Sequence, residues 1–160
     1  SKMVEVCSTT LPQKAIPHIL SHPEYPKYLE QRRRRYELHS NIAYNLLKEV
    51  PGLKVNRTNG AFYMSVVFES GRLNSQQTLP IENPEIRKLV EGLVDQPDTL
   101  SDKRFVYYLL GATGICVVPL TSFSSDLQGF RVTLLETEET KFVKTFDILS
   151  ESIKQYLTSG

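Results

Sequence analysis

The chain has 160 residues, enough for one domain with a sizeable core. Its apolar and charged fractions, 40% and 23%, are those of an ordinary globular protein, and a net charge of +1 supplies no bulk attraction to nucleic acid or to a membrane surface. No apolar run approaches the roughly 18 residues of a membrane span, no signal peptide is legible, and two cysteines do not make a disulfide scaffold.

Residues 1–22 read as a joining segment, and residues 23–160 as the domain proper. The first segment holds a strand-like start and the short apolar stretch from Ala15 to Leu20. Pro12, Pro17, Pro23 and Pro26 should break this region into short pieces. Cys7 and Cys116 both sit in apolar, strand-like runs. They are expected to be buried free thiols, which fits a reducing, cytoplasmic setting.

A long helix is expected from Tyr25 to Val50. Leu29, Tyr36, Ala43 and Val50 recur every seven residues, and Leu46 and Leu47 widen the stripe. Pro51-Gly52 then stops it. Residues 53–57 and 61–68 read as two strands. Asn59-Gly60 between them is a tight-hairpin signal, because both residues tolerate positive φ. Residues 69–82 are polar and read as a loop.

Asn83-Pro84 supplies an N-cap with proline in the first helical position. Ile86, Leu89, Val90 and Leu93 then follow helical spacing. Another helix runs from near Ser101 to Thr113-Gly114. Short strands are expected at 115–118 and 130–135. Thr137 is placed to cap a last helix, with Glu138 and Glu139 in its first turn. Phe142, Phe146, Leu149, Ile153 and Tyr156 form the apolar face of that helix. The order predicts an α+β fold, a small mixed or antiparallel sheet covered by helices.

Few residues suggest chemistry by themselves. On the strand Phe130–Leu135, side chains alternate faces, so Phe130, Val132 and Leu134 point into the core and Arg131 points away. A guanidinium there can meet a carboxylate at two points, although the residues alone favour an arginine on a solvated sheet face. Arg32-Arg33-Arg34-Arg35 could contact phosphates. On a helix, however, consecutive residues are turned by about 100° each, so the four cannot form one flat patch. Glu30 and Glu37 stand within pairing distance in sequence, which favours a solvated, ion-paired face. His18, His22 and His39 lack metal-ligand spacing, so no metal is expected.

Four segments, taken in order, carry a resemblance. These are Cys7-Ser8-Thr9-Thr10-Leu11-Pro12-Gln13, Pro51-Gly52 followed by Asn59-Gly60-Ala61-Phe62-Tyr63, Thr113-Gly114-Ile115-Cys116-Val117-Val118-Pro119, and Phe130-Arg131-Val132-Thr133-Leu134-Leu135-Glu136. The chain resembles the C-terminal small domain of class I aminotransferases, the pyridoxal-phosphate enzymes of fold type I, and is similar to their alanine-aminotransferase-like members. One departure is visible. Where the family usually has Gly-Ser-x-Phe-Gly, this chain has Leu120-Thr121-Ser122-Phe123-Ser124, so the loop should avoid glycine-only angles.

The resemblance implies that Arg131 binds the α-carboxylate of an amino-acid substrate and that pyridoxal phosphate is the cofactor. It implies transfer of an amino group between an amino acid and a 2-oxo acid. It places the cofactor-linking lysine, the aspartate on the pyridine nitrogen and the phosphate-binding residues in a large domain of the same polypeptide, with a homodimer as the full-length assembly. Lys2 is not assigned as that lysine. No catalytic and no cofactor-binding residue is expected in this chain, which should bind the cofactor poorly and be inactive alone. Neither nucleic acid nor a membrane is an expected partner. Two alternatives stay open: a stand-alone interaction or nucleic-acid-binding module using the arginine run, and another lyase or synthase of the same fold.

Overall fold

The computed structural model describes residues 9–160, so Cys7 and the strand-like start around it lie outside the described residues. The described residues hold five α-helices, one 3₁₀ turn and a four-stranded sheet. They fall into two compact units, one ending at Arg35 and the other Tyr36–Gly160.

In the first unit, α1 (Thr10–Leu20) is one continuous helix where prolines predicted broken pieces. Pro12 lies in its first turn, whose backbone N–H groups have no helical partner to lose. Pro17 is internal and removes only one bond of the ladder. No residue of α1 is buried, and Leu11, Ile16, Ile19 and Leu20 are all exposed. α2 (Tyr25–Leu47) follows; its first half, with the arginine run, belongs to this unit, and from Tyr36 on it belongs to the second.

The second unit contains the sheet. β1 (Leu53–Val55), β2 (Tyr63–Phe68), β3 (Val118–Pro119) and β4 (Gly129–Thr133) lie in the order β1-β2-β4-β3, every neighbouring pair antiparallel. The α+β expectation holds, with an antiparallel rather than mixed sheet. The long α2 helix ends three residues earlier than its apolar stripe. Val50 is nonetheless buried with Ala43 and Leu47, after a turn in which Gly52 takes a φ of +89°.

The β1–β2 hairpin differs from the tight turn predicted at Asn59-Gly60. Leu53 pairs with Phe68 and Val55 with Val66, so residues 56–65 separate the last paired positions. The positive φ falls on Ala61, at +60°, and not on Asn59 or Gly60. Tyr63, Met64 and Ser65 pair with Thr133, Val132 and Arg131 on the β4 side of β2, while the β1 side is paired only from Val66 onward.

α3 (Pro84–Val94) starts as predicted, with the Asn83 side chain accepting hydrogen bonds from the backbone N–H of Glu85 and Ile86. Its burial departs from the predicted stripe. Val90 and Val94 are buried, whereas Ile86, Leu89 and Leu93 are exposed. α4 (Ser101–Thr113) ends at Gly114 in the left-handed conformation, φ +76°. The strand expected at 115–118 shortens to Val118–Pro119. α5 (Glu139–Leu157) buries all five predicted face residues.

Glu138, not Thr137, is the N-cap residue of α5, with no side-chain capping bond, and Glu136 instead orders the turn that leads into the helix. Its carboxylate accepts from the N–H of Thr137 and Glu138 at 2.8 and 3.1 Å and pairs with Lys141 at 3.0 Å. The Glu138 N–H first, then the Lys141 ammonium and the Thr137 N–H, lower its pKa to about 2.

One face of the sheet is sealed. Met64, Val66, Phe68, Phe130 and Val132 are buried on it. Phe105 of α4 meets Phe68 edge-on at 5.1 Å, Phe130 at 5.6 Å and Tyr156 of α5 at 5.2 Å. Burial pushes the Tyr156 phenol up to about 12, so it stays neutral in the core. His39 is buried against Phe142 with ring centroids 4.0 Å apart, its Nδ1 within 3.1 Å of the Leu134 carbonyl. The loop after β2 is pinned as well. Leu79 and Ile81 enter the core, and the Gln77 amide donates to the Arg72 carbonyl at 2.8 Å.

Candidate functional site

The alternation that buries Phe130 and Val132 presents Arg131 on the opposite, open face, as the sequence predicts. β4 is flanked by β2 and β3, so Arg131 sits in the middle of the sheet, with Ser65 and Val118 as its register partners. Tyr63, Ser65, Val118 and Thr133 share that face and are exposed. Ser65 also lines a cleft of about 870 Å³ with Lys54 and Asp126, so the ground beside the arginine carries both signs of charge.

Two aromatic rings hold the guanidinium. Its Cζ lies 3.8 Å from the ring centre of Phe123 and 4.6 Å from that of Tyr63. Both are cation–π distances. At the shorter one the guanidinium carbon lies over the Phe123 ring at van der Waals contact. Among the described residues, no carboxylate lies within ion-pair distance of Arg131. The site is therefore a planar fork of donors, covered on a face by a ring and not neutralised by this unit.

Phe123 closes the 3₁₀ turn Leu120–Phe123, which is built by contacts far apart in sequence. Asp102, fully buried in the first turn of α4, accepts from the Thr121 backbone N–H at 3.0 Å and from its hydroxyl at 2.8 Å. Leu120 is buried beside Gly129, where a Cβ would lie 2.2 Å from the Val66 carbonyl oxygen and 2.9 Å from Leu120 Cδ1. The residue after the turn, Ser124, has φ +57° and ψ +35°. Leu120 and Ser124 both meet the expectation of a loop without glycine-only angles, although Ser124 lies in the left-handed region that an L-residue enters only at a cost. The loop keeps a left-handed residue there and places a serine in it.

Asp102, Phe123 and Tyr63 are the site residues that sequence reasoning missed. Alternation along β2 put Tyr63 on the same face as Ser65, but only the β2–β4 register brings it to Arg131. The Asp102–Thr121 pair has no local signature.

Other candidates settle differently. In the first unit, Glu30 accepts from Arg33 Nε at 2.8 Å and from Arg34 Nε at 2.7 Å, and these bonds, Arg33 first, lower its pKa to about 2. The run is thus an ion-paired helix face, not an open basic patch. Among the described residues, no His, Cys, Asp and Glu side chains gather as a metal site. Cys116 is an exposed free thiol, contrary to the buried one expected, because β3 begins only two residues later.

Several groups that a pyridine cofactor could draw on are engaged elsewhere. The fully buried carboxylate, Asp102, spends both oxygens on Thr121. Lys48, Lys141 and Lys154 stand in surface ion pairs.

Known proteins resemble this chain in sequence and fold. Residues 3–143 match the family model of class I and II aminotransferases. An uncharacterized aminotransferase of Methanocaldococcus jannaschii is 55% identical over 157 residues, which is 98% of this chain and 36% of that protein. The chain thus spans about a third of the curated relative it matches. Among solved structures, the aspartate aminotransferase of Rhizobium meliloti superposes with a TM-score of 0.60 at 20% identity, over 85% of this chain and 29% of that one. An Escherichia coli aminotransferase gives 0.52 at 19% identity, over 78% and 24%. At those identities the structures speak for the fold, while the family model and the archaeal relative settle membership: the chain belongs to the class I and II aminotransferases.

Proposed function

We propose that this chain is the C-terminal small domain, residues 23–160 with a joining segment before it, of an aminotransferase that uses pyridoxal phosphate. It works with a large domain of the same polypeptide, as a homodimer in a reducing cytoplasm. The reaction moves an amino group between an amino acid and a 2-oxo acid. Arg131 binds the α-carboxylate. The observation that carries the reading is the Arg131 guanidinium itself, raised on the open face of β4, stacked on Phe123, and paired with no carboxylate of the described residues.

The physical case is short. A guanidinium fork matches a carboxylate at two points, which fixes orientation as well as position. Orientation of the substrate is where such a residue lowers the barrier. Pyridoxal phosphate, when bound, supplies the electron sink for amino-group chemistry. Holding it falls to residues beyond this chain, so the chain alone is inactive.

The test uses the longest polypeptide that contains this chain. Its visible absorbance is recorded with and without amino acids, and again for Arg131→Ala. A cofactor band that shifts on adding amino acid supports the reading, provided the variant keeps the band and loses the shift at the same amino-acid concentration. A polypeptide with no cofactor band sinks the pyridoxal-phosphate reading. An Arg131→Ala variant that responds like the parent sinks the arginine assignment.

A further inference from the structure

We infer that Phe123 is a positioning residue for Arg131, and that its ring restricts the arginine to planar, carboxylate-shaped acids. The inference rests on the reading of Arg131 as the carboxylate-binding residue and goes on to what selects its ligand. An arginine side chain in the middle of an open sheet face has many rotamers, and ordering it on ligand binding costs affinity. Here the order exists beforehand. Phe123 stacks on the guanidinium at 3.8 Å, and Tyr63 stands 4.6 Å away, from the neighbouring strand β2. A ring lying flat on the guanidinium leaves the in-plane donor edge for the ligand.

That geometry has a shape preference. A carboxylate is planar and can lie in the plane of the fork, with both oxygens on donors. A phosphonate is tetrahedral, so with two oxygens in that plane its third oxygen and its carbon lie on opposite sides, and one of them projects on the side of the covering ring. Phe123 therefore favours carboxylates over phosphonates of the same side chain. The ring is itself held in place: Asp102 fixes Thr121, two residues before it, and Ser124 turns the chain left-handed immediately after it. Phe123 is 43% exposed, so exchanging it leaves the core untouched.

The experiment uses the full-length holoenzyme. Binding of an α-amino acid and of its 1-aminophosphonate analogue is measured by spectral titration for the parent, Phe123→Leu, Phe123→Tyr, Arg131→Ala and the Arg131→Ala/Phe123→Leu double variant. We expect Phe123→Leu to weaken the amino acid about fivefold, as loss of a cation–π contact would. The ratio of phosphonate to carboxylate affinity should rise at the same time, and Phe123→Tyr should restore both. In the Arg131→Ala background, Phe123→Leu should add nothing, since the two act through one group.

If Arg131→Ala weakens the amino acid but Phe123→Leu leaves affinity and ratio within twofold, the positioning role is wrong and the arginine assignment stands. If Arg131→Ala itself changes nothing, the underlying reading is wrong. An equal, additive effect of Phe123→Leu in both backgrounds would mark a merely structural ring and overturn the proposal. If Phe123→Leu fails to fold, Thr121→Val, which removes the hydroxyl bond to Asp102, gives the same readings with the ring retained but its turn loosened.

Discussion

Arginine occurs here in two settings that teach opposite lessons about charge. On α2, four arginines stand in a row, and Glu30 binds two of them through bonds of 2.7 and 2.8 Å. On β4, a single arginine faces outward, carries no carboxylate among the described residues, and rests against two aromatic rings. The run is the conspicuous feature of the sequence, yet two of its arginines share one carboxylate on their own helix. The single residue is inconspicuous, yet its donor edge is held in place without its charge being spent. Rings do this because their quadrupole attracts a cation without consuming its hydrogen bonds.

The sharpest way to break that contrast is to truncate one arginine of each kind in the full-length protein. Arg131→Ala should weaken amino-acid binding about 100-fold, close to 2.7 kcal/mol, as expected for charge-assisted bonds lost at a bidentate site. Arg34→Ala should leave it within about twofold, because an exposed helix pair contributes little. Titration of both variants with one amino acid is enough. Equal losses would end the distinction.

The strand that carries Arg131 is also less forgiving than its surroundings. Gly129→Ala places a Cβ 2.2 Å from the Val66 carbonyl oxygen and 3.0 Å from Val67 Cα, both backbone atoms that cannot step aside. We expect a loss of about 3 kcal/mol, the upper end of typical overpacking costs. Gly60→Ala, with no heavy atom within 4 Å, should be near neutral. Urea unfolding of the two variants compares them directly, and a tolerant Gly129 would show the β2–β4 spacing to be wider than described.

Ser124→Gly works in the other direction. A serine at φ +57° is strained by its Cβ. Glycine relieves that strain, at some entropic cost in the unfolded chain. The net effect should be a gain of about 0.5 kcal/mol in thermal unfolding, with the turn below Phe123 unchanged. A destabilised variant would mean that the serine side chain supports the turn.

What the sequence shows of this molecule is what acts over a few residues. Asn83-Pro84 places a helix start, Thr113-Gly114 a helix end, and Phe142 to Tyr156 a buried stripe, because capping, left-handed φ and helical spacing are local. The Arg131 face was readable from alternation alone. Non-local competition defeated the rest. Asn59-Gly60 promised a tight turn, but the pairing of β1 with β2 stops at Val55 and Val66. The proline-rich stretch promised breaks but stayed helical. Ile86, Leu89 and Leu93 have core spacing yet lie exposed. The arrangement around the arginine depends on a contact from Asp102 to Thr121, 19 residues apart, and on a sheet order that no single strand encodes.

The smallest effect concerns pH, and it tests whether two hydrogen-bonded carboxylates behave as their partners require. Glu30 and Glu136 both have pKa values lowered to about 2 from 4.5, the first by Arg33 and then Arg34, the second by the Glu138 N–H, then Lys141 and the Thr137 N–H. A carboxylate whose folded pKa is depressed contributes fully above its unfolded value. That contribution is lost as pH falls from about 4.5 through about 2. Glu30→Gln and Glu136→Gln should therefore lower Tm slightly at neutral pH, with the difference from the parent closing toward pH 2. Both groups are exposed, so added salt should shrink the effect of Glu30→Gln, which rests on guanidinium pairs. It should shrink that of Glu136→Gln less, because two of its partners are backbone N–H groups. A Tm difference for Glu30→Gln that ignored both pH and salt would show that the arginine run is held by packing, and the contrast with Arg131 would then rest on the rings alone.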